Sequence, residues 1–179
     1  MSEFLFEEGE IDGFLTVTGT SFKDHRGSFS RLYSQSVFNQ SSSFVSVEHI
    51  NLSVNPARHT LRGFHYSLTE ANEVKIFKCI TGAIFNVTID VRKDSPTFGR
   101  KKIVELVSTE STSIIVPAGC ANAWITIEKD TRILYLVAAE YDFTKERGFR
   151  FDDPKFAIDW PAYPKQISSK DLAWKPYES

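Results

Sequence analysis

Cysteine is scarce: Cys79 and Cys120 are the only two in 179 residues. Two are too few for a disulfide framework and lack the paired spacing of zinc ligands, so a reducing compartment is expected. Long apolar runs are missing as well. No stretch approaches the ~18 apolar residues of a membrane span. Glu3, Glu7 and Glu8 interrupt the N-terminal apolar residues with no basic segment ahead of them, which speaks against a secretory signal and for a cytoplasmic protein. Charge of one sign is absent too. With 21 basic and 23 acidic residues the formal charge is -2, so neither nucleic acid nor an anionic membrane is expected as a partner. Any anion site must be local.

Several catalytic signatures are also lacking. There is no His-x-His pair of the kind that supplies metal ligands in barrel enzymes, no phosphate-cradling Gly-rich loop and no Gly-x-Ser-x-Gly elbow. Metal, kinase-like and serine-hydrolase chemistry are therefore disfavoured.

Helical periodicity is nearly absent, and short β segments separated by turn signals take its place. A first strand is expected from Ile11 to Val17, then a charged turn around Asp24-His25-Arg26-Gly27 and a short helix over Ser34 to Gln40. Further strands are expected over Phe44 to Ser53 and Thr60 to Ser67, then a polar turn from Thr69 to Glu73. Residues 74–91 read as a hairpin about Gly82, and strands follow near 102–107, 113–116, 122–127 and 132–138. The pattern predicts an all-β antiparallel sandwich or jelly roll with short peripheral helices. The length suits one domain, 1–179, in which 142–179 forms a loop and helix extension and Ser168 caps a short helix.

Within Leu61-Arg62-Gly63-Phe64-His65-Tyr66 a guanidinium and an imidazole lie three residues apart. Strict alternation would send them to opposite faces, and Gly63 permits the bulge that brings them together. His65, Lys75, Tyr135 and Asp171 are all suited to proton transfer, and a β-barrel can gather distant strands at one mouth. Each also has an ordinary reading: a satisfied histidine, a snorkelling strand lysine, a core aromatic and a helix-start carboxylate.

The chain resembles the dTDP-4-dehydrorhamnose 3,5-epimerase family. The matching stretches are Asp24-His25-Arg26-Gly27-Ser28-Phe29, Asn51-Leu52-Ser53, Leu61 to Tyr66, Asp90-Val91-Arg92 with Ser95 to Gly99, Pro117-Ala118-Gly119, Leu134-Tyr135, Asp152-Asp153-Pro154 with Ile158 to Pro161, and Ser169-Lys170-Asp171. The resemblance implies a cupin-like jelly-roll homodimer that works without a metal or other cofactor on a nucleotide-linked 4-keto sugar. It implies His65 as the base, Asp171 as the carboxylate that orients it, Lys75 at the C4 oxygen and Tyr135 as the acid on the opposite face. Arg62 would grip the diphosphate. Arg26 and Phe29 would reach the nucleotide of the neighbouring subunit, and His49, Asn51, Tyr141 and Lys170 belong to the expected substrate-binding set.

Three positions depart from the family pattern. Asn122 stands where the family has His in an Ala-His-Gly-Phe stretch, Arg31 where it has Glu after Arg-Gly-x-Phe, and His49 where it has Gln. Arg31 and His49 fall where the family reads thymine, so GDP and CDP stand beside dTDP as carriers. Asn122 leaves both a 3,5-epimerase and a mono-epimerase open. A sugar-nucleotide-binding homologue without turnover, or an isomerase that moves the keto group, are the remaining alternatives.

Overall fold

Alternation becomes strand almost wherever the sequence carries it, and the strands sort into two facing sheets. The computed structural model describes residues 3–41, 46–68 and 73–178. In chain order the elements are β1 (Phe4–Glu8), β2 (Leu15–Gly19), β3 (Ser21–Asp24), β4 (Gly27–Ser30), α1 (Gln35–Ser41), β5 (His49–Asn55), β6 (Leu61–Ser67), β7 (Lys75–Thr81), β8 (Ala83–Asp90), β9 (Lys101–Val107), β10 (Thr112–Val116), β11 (Cys120–Thr126), β12 (Thr131–Val137), β13 (Glu146–Gly148) and α2 (Ser169–Ala173). One sheet has the order β1-β2-β10-β7-β12-β5, the other β13-β6-β11-β8-β9, and β3 pairs with β4 alone. The described residues form an all-β antiparallel jelly roll with two short helices at its periphery, as expected.

Phe77 and Cys79 of β7, Ile114 of β10 and Ile133 of β12 meet Ile84 of β8, Leu106 of β9 and Trp124 of β11 between the sheets. Burying each large apolar side chain there contributes about 1.5–3 kcal/mol. The far face of the six-stranded sheet is covered by α1, whose Phe38 is fully buried against Phe4, Val17 and Ile76.

Several expectations need correction. The segment 74–91 is not a hairpin: β7 and β8 belong to different sheets. Gly82 (φ +76°) turns the chain across the sandwich, and a Cβ there would strike Thr131 Oγ1. The strand expected over 11–17 begins only at Leu15 and is the second, after β1, because Gly13 (φ +79°) and the Phe14 N to Ile11 O bond of 2.9 Å make 11–14 a turn. The charged stretch after Ser21 is itself a hairpin, β3–β4. Within the 44–53 strand, Phe44 and Val45 lie outside the described residues, as do residues 69–72 of the expected turn.

Much of the motif content serves the scaffold. Asp90, fully buried, accepts from Arg92 Nε (2.9 Å), Ser95 Oγ (2.5 Å) and Thr97 Oγ1 (2.6 Å). Burial alone would raise that carboxyl, yet these bonds hold it down at about 2. Arg92 also donates to Asp12 O (2.8 Å), so the Asp-Val-Arg and Ser-Pro-Thr-Phe-Gly stretches knot the β8–β9 loop to the turn before β2.

The tail lies on the five-stranded sheet. Phe149, Phe156, Trp160 and Tyr177 pack over Phe64, Val87 and Ile89, and Trp160 Nε1 donates to Phe151 O at 2.9 Å. A bridge between Thr60 and Gln166 and a bond from Leu61 N to Gln166 O (2.8 Å) then carry the chain along the start of β6 into α2.

Candidate active site

β6 carries one residue more than its neighbour. Asn122 of β11 pairs with His65 and Trp124 with Arg62, so three steps on β6 face two on β11. The bulge centres on Gly63 (φ +108°), where a Cβ would sit 2.5 Å from Asn122 O and 2.8 Å from Ala123 Cα. Arg62 and His65 consequently line one cavity, as the three-residue spacing and the glycine predict.

α2 supplies the partner of the imidazole. Ser168 Oγ caps the helix by accepting from Asp171 N (3.0 Å), which fixes the buried Asp171 facing β6. His65 Nε2 lies 2.6 Å from Asp171 Oδ1, and Gly63 N donates to Oδ2 at 3.4 Å. An ionised carboxylate only accepts, so Nε2 carries the hydrogen and Nδ1 keeps the lone pair that can take a proton. Burial works to raise the Asp171 carboxyl, but the bonds from His65, Gly63 and Ser168 hold it below the ordinary carboxylate value.

Opposite, β12 sets Tyr135 between Asn51 of β5 and Phe77 of β7, whose ring it stacks on at 5.5 Å. Burial raises the phenol above its usual pKa, with Arg62 pulling the other way. Tyr135, His65 and Lys75 line both an inner cavity of about 240 Å³, shared with Arg62, Asn122 and Trp124, and an outer one of about 580 Å³ that adds His49, Asn51, Tyr141 and Glu146. The four side chains suited to proton transfer thus converge: three line the cavity and Asp171 stands directly behind His65.

A pattern of pairing runs through the site. His65 has Asp171, Lys75 has Glu73 (2.5 Å) and Lys170 has Glu146 (2.7 Å). Arg62 differs: among the described residues no carboxylate pairs with it, and its contacts are Asn55 Oδ1 (3.1 Å) and the Trp124 ring (5.7 Å).

Glu146 also accepts from Tyr141 OH (2.8 Å), tying the cavity rim to α2. Burial would raise its carboxyl, whereas the bonds from Lys170 and Tyr141 and the nearby His65 keep it low. Glu73 and Glu146 escaped the sequence reading. Glu73 had a signal, an opposite charge two residues from Lys75; Glu146 had none, since its partners are Tyr141 and the distant Lys170.

Other expected residues lie elsewhere. Arg26 and Phe29 line a cleft of their own on the β3–β4 hairpin, Phe29 is 68% exposed, and Arg26 is held by Asp24 at 2.5 Å. Arg31 pairs with Glu3 at 2.6 Å rather than entering the cavity. Asn122 reaches the inner cavity, but its amide is spent on Asn86 Oδ1 (3.0 Å) and Thr88 Oγ1 (3.1 Å) of β8. Among the described residues no cluster of His, Cys, Asp and Glu could hold a metal, and no helix is long and apolar enough to cross a membrane.

The cupin-like jelly roll whose mouth gathers an imidazole–carboxylate pair, an ammonium and a phenol beside Arg62 belongs to a class of isomerases, the nucleotide-sugar epimerases. The model of the dTDP-4-dehydrorhamnose 3,5-epimerase family matches residues 8–179, and the chain belongs to that family. It is 32% identical over 176 residues to the dTDP-4-dehydrorhamnose 3,5-epimerase of Sinorhizobium fredii, covering 98% of this chain and 90% of that one. The crystal structure of the Bacillus anthracis dTDP-4-dehydrorhamnose 3,5-epimerase with TDP and PPi bound superposes with a TM-score of 0.92 at 27% identity, covering 97% and 99% of the two chains. A 3'-monoepimerase from Streptomyces bikiniensis in complex with dTDP-quinovose gives 0.86 at 29% identity, covering 93% and 84%.

Proposed function

We propose that this isomerase inverts C3, C5 or both of a dTDP-linked 4-keto-6-deoxyhexose by proton removal and return through an enolate. The observation that carries the reading is the convergence of His65, Lys75 and Tyr135 on one cavity with Asp171 behind the imidazole. A keto group at C4 acidifies the hydrogens on its neighbouring carbons. His65 Nδ1 removes one of these, and Asp171 stabilises the imidazolium that forms. Lys75 donates to the C4 oxygen as its charge develops. Tyr135 returns a proton on the other face, and Arg62 takes the diphosphate, a role its lack of a carboxylate partner supports.

The names of the relatives support dTDP as carrier; His49, which lines the outer cavity, keeps GDP and CDP as the alternatives. The locked, neutral Asn122 is the feature that favours a mono-epimerase as second reading. The chain acts as one domain and as a homodimer in the cytoplasm. Exposed Ile50 (58%), Leu52 (54%) and Val54 (48%) on edge strand β5 support a second copy, and the free-standing hairpin with Arg26 and Phe29 suits contact with a neighbour's nucleotide.

The test is incubation with dTDP-4-keto-6-deoxyglucose in deuterated water, followed by NMR. Deuterium at C3 and C5 supports the 3,5-epimerase, and deuterium at one carbon the mono-epimerase. No exchange with dTDP, GDP or CDP sugars would leave a binding protein without turnover.

A further inference from the structure

Lys75 carries the keto oxygen in the reading above, yet its ammonium is already engaged. Glu73, two residues earlier and just ahead of β7, places Oε1 2.5 Å from Lys75 Nζ. Both groups line the cavity, and the side chains are only 11% and 25% exposed. A pair held this far from solvent is not the freely exchanging surface contact that contributes little.

Two physical effects compete at this pair. The carboxylate partly cancels the field of the ammonium at any oxygen in the cavity, which by itself would slow enolate formation. Against this, a lysine head is a compact charge on a flexible four-carbon stem, with three N–H donors that point wherever hydration takes them. Spending one donor on a fixed carboxylate leaves two in a defined direction before the substrate arrives, and electrostatic catalysis depends on donors that need no reorganisation as charge develops. The cavity already holds Arg62 as a second cation, so attraction for an anion does not rest on Lys75 alone, and its orientation is what Glu73 adds.

We infer that Glu73 is a positioning residue, which aims the Lys75 ammonium at the keto oxygen of the substrate. The inference rests on the role given to Lys75 under Proposed function. It is tested with Glu73→Ala and Glu73→Gln, alone and combined with Lys75→Ala, by deuterium exchange under saturating and limiting substrate.

Glu73→Ala is expected to lower kcat roughly 10- to 100-fold, the scale of a misplaced catalytic group, and to leave KM within about twofold, because Arg62 still binds the diphosphate. Glu73→Gln, which can still accept from the ammonium, is expected to keep more of the rate. In the Lys75→Ala background Glu73→Ala should have no further effect, a coupling that a general loss of stability would not produce. The inference is overturned by an unchanged or faster kcat in Glu73→Ala, or by a loss of the same size without Lys75. Failure of the wild type to exchange at all would instead overturn the epimerase reading.

Discussion

Gly148 lies directly beneath the indole of Trp174. A Cβ at 148 would collide with Trp174 Cε2 and come within 2.6 Å of Trp174 Nε1 and of Phe64 O. Gly148 pairs with His65 across β13 and β6, and Trp174 is the C-cap of the helix that carries Asp171. A single hydrogen atom as side chain therefore lets α2 approach β6 closely enough for the 2.6 Å bond between Asp171 and His65.

Gly148→Ala should push Trp174, and α2 with it, away from β6. The expected result is a stability loss of about 1–3 kcal/mol from overpacking and a fall in exchange of roughly 100-fold from misplacement of the dyad. Thermal melts and exchange rates check this together, and unchanged exchange would show that α2 tolerates the shift.

The cap of α2 invites a milder version. Ser168→Ala removes the acceptor for Asp171 N, at a cost of about 1 kcal/mol. Its effect on exchange is expected in kcat rather than KM, since Ser168 lines neither cavity.

Asp171 also sets an acid dependence. Its carboxyl lies below the ordinary value in the fold, so the unfolded chain binds the proton first as pH falls. The stabilisation is fully present above about pH 4, the unperturbed carboxylate range, and is lost as pH drops through the folded value. In acid titrations monitored by circular dichroism, the stability difference between wild type and Asp171→Asn should shrink below about pH 4.

The opposite limb belongs to Lys78. Only 7% exposed, its ammonium donates to Glu110 O (2.5 Å) and Thr112 O (2.9 Å), and burial lowers its pKa to about 8. Between there and the ordinary lysine value the unfolded chain binds more protons, so this group adds stability as pH rises. Buried Cys79 and Cys120, raised to about 11 and about 12 by burial, act the other way, which makes the difference from Lys78→Met the quantity to follow. Denaturant titrations from pH 7 to 10.5 should show the wild type gaining up to about 3 kcal/mol on the variant.

The sequence yielded the strands where one face is buried and the other wet, as in β2, where Leu15 and Val17 are buried and Thr18 is exposed; in β5 the alternation is as plain, but the side with Ile50, Leu52 and Val54 is the exposed one, and Asn51 and Ser53 are half-buried. It yielded the bulge at Gly63, because two functional side chains three apart need one extra residue. The β3–β4 hairpin was obscured by exposure on both faces, which erases the period of two. Gly82 announced a turn but could not say whether the chain returns within its sheet or crosses to the other, a choice made by distant partners β12 and β11. At the site, motif residues were legible one by one, whereas Glu146 and the lock on Asn122 depend on neighbours that only the folded chain brings together.

The ring of His65 is the group proposed to move the proton. The direct measurement compares exchange into dTDP-4-keto-6-deoxyglucose by the wild type and His65→Asn, with dTDP binding followed by calorimetry. His65→Asn is expected to bind dTDP within a few-fold of wild type and to lose about 10²- to 10⁴-fold in exchange at C3, C5 or both. Exchange at the wild-type rate, with binding intact, would contradict it.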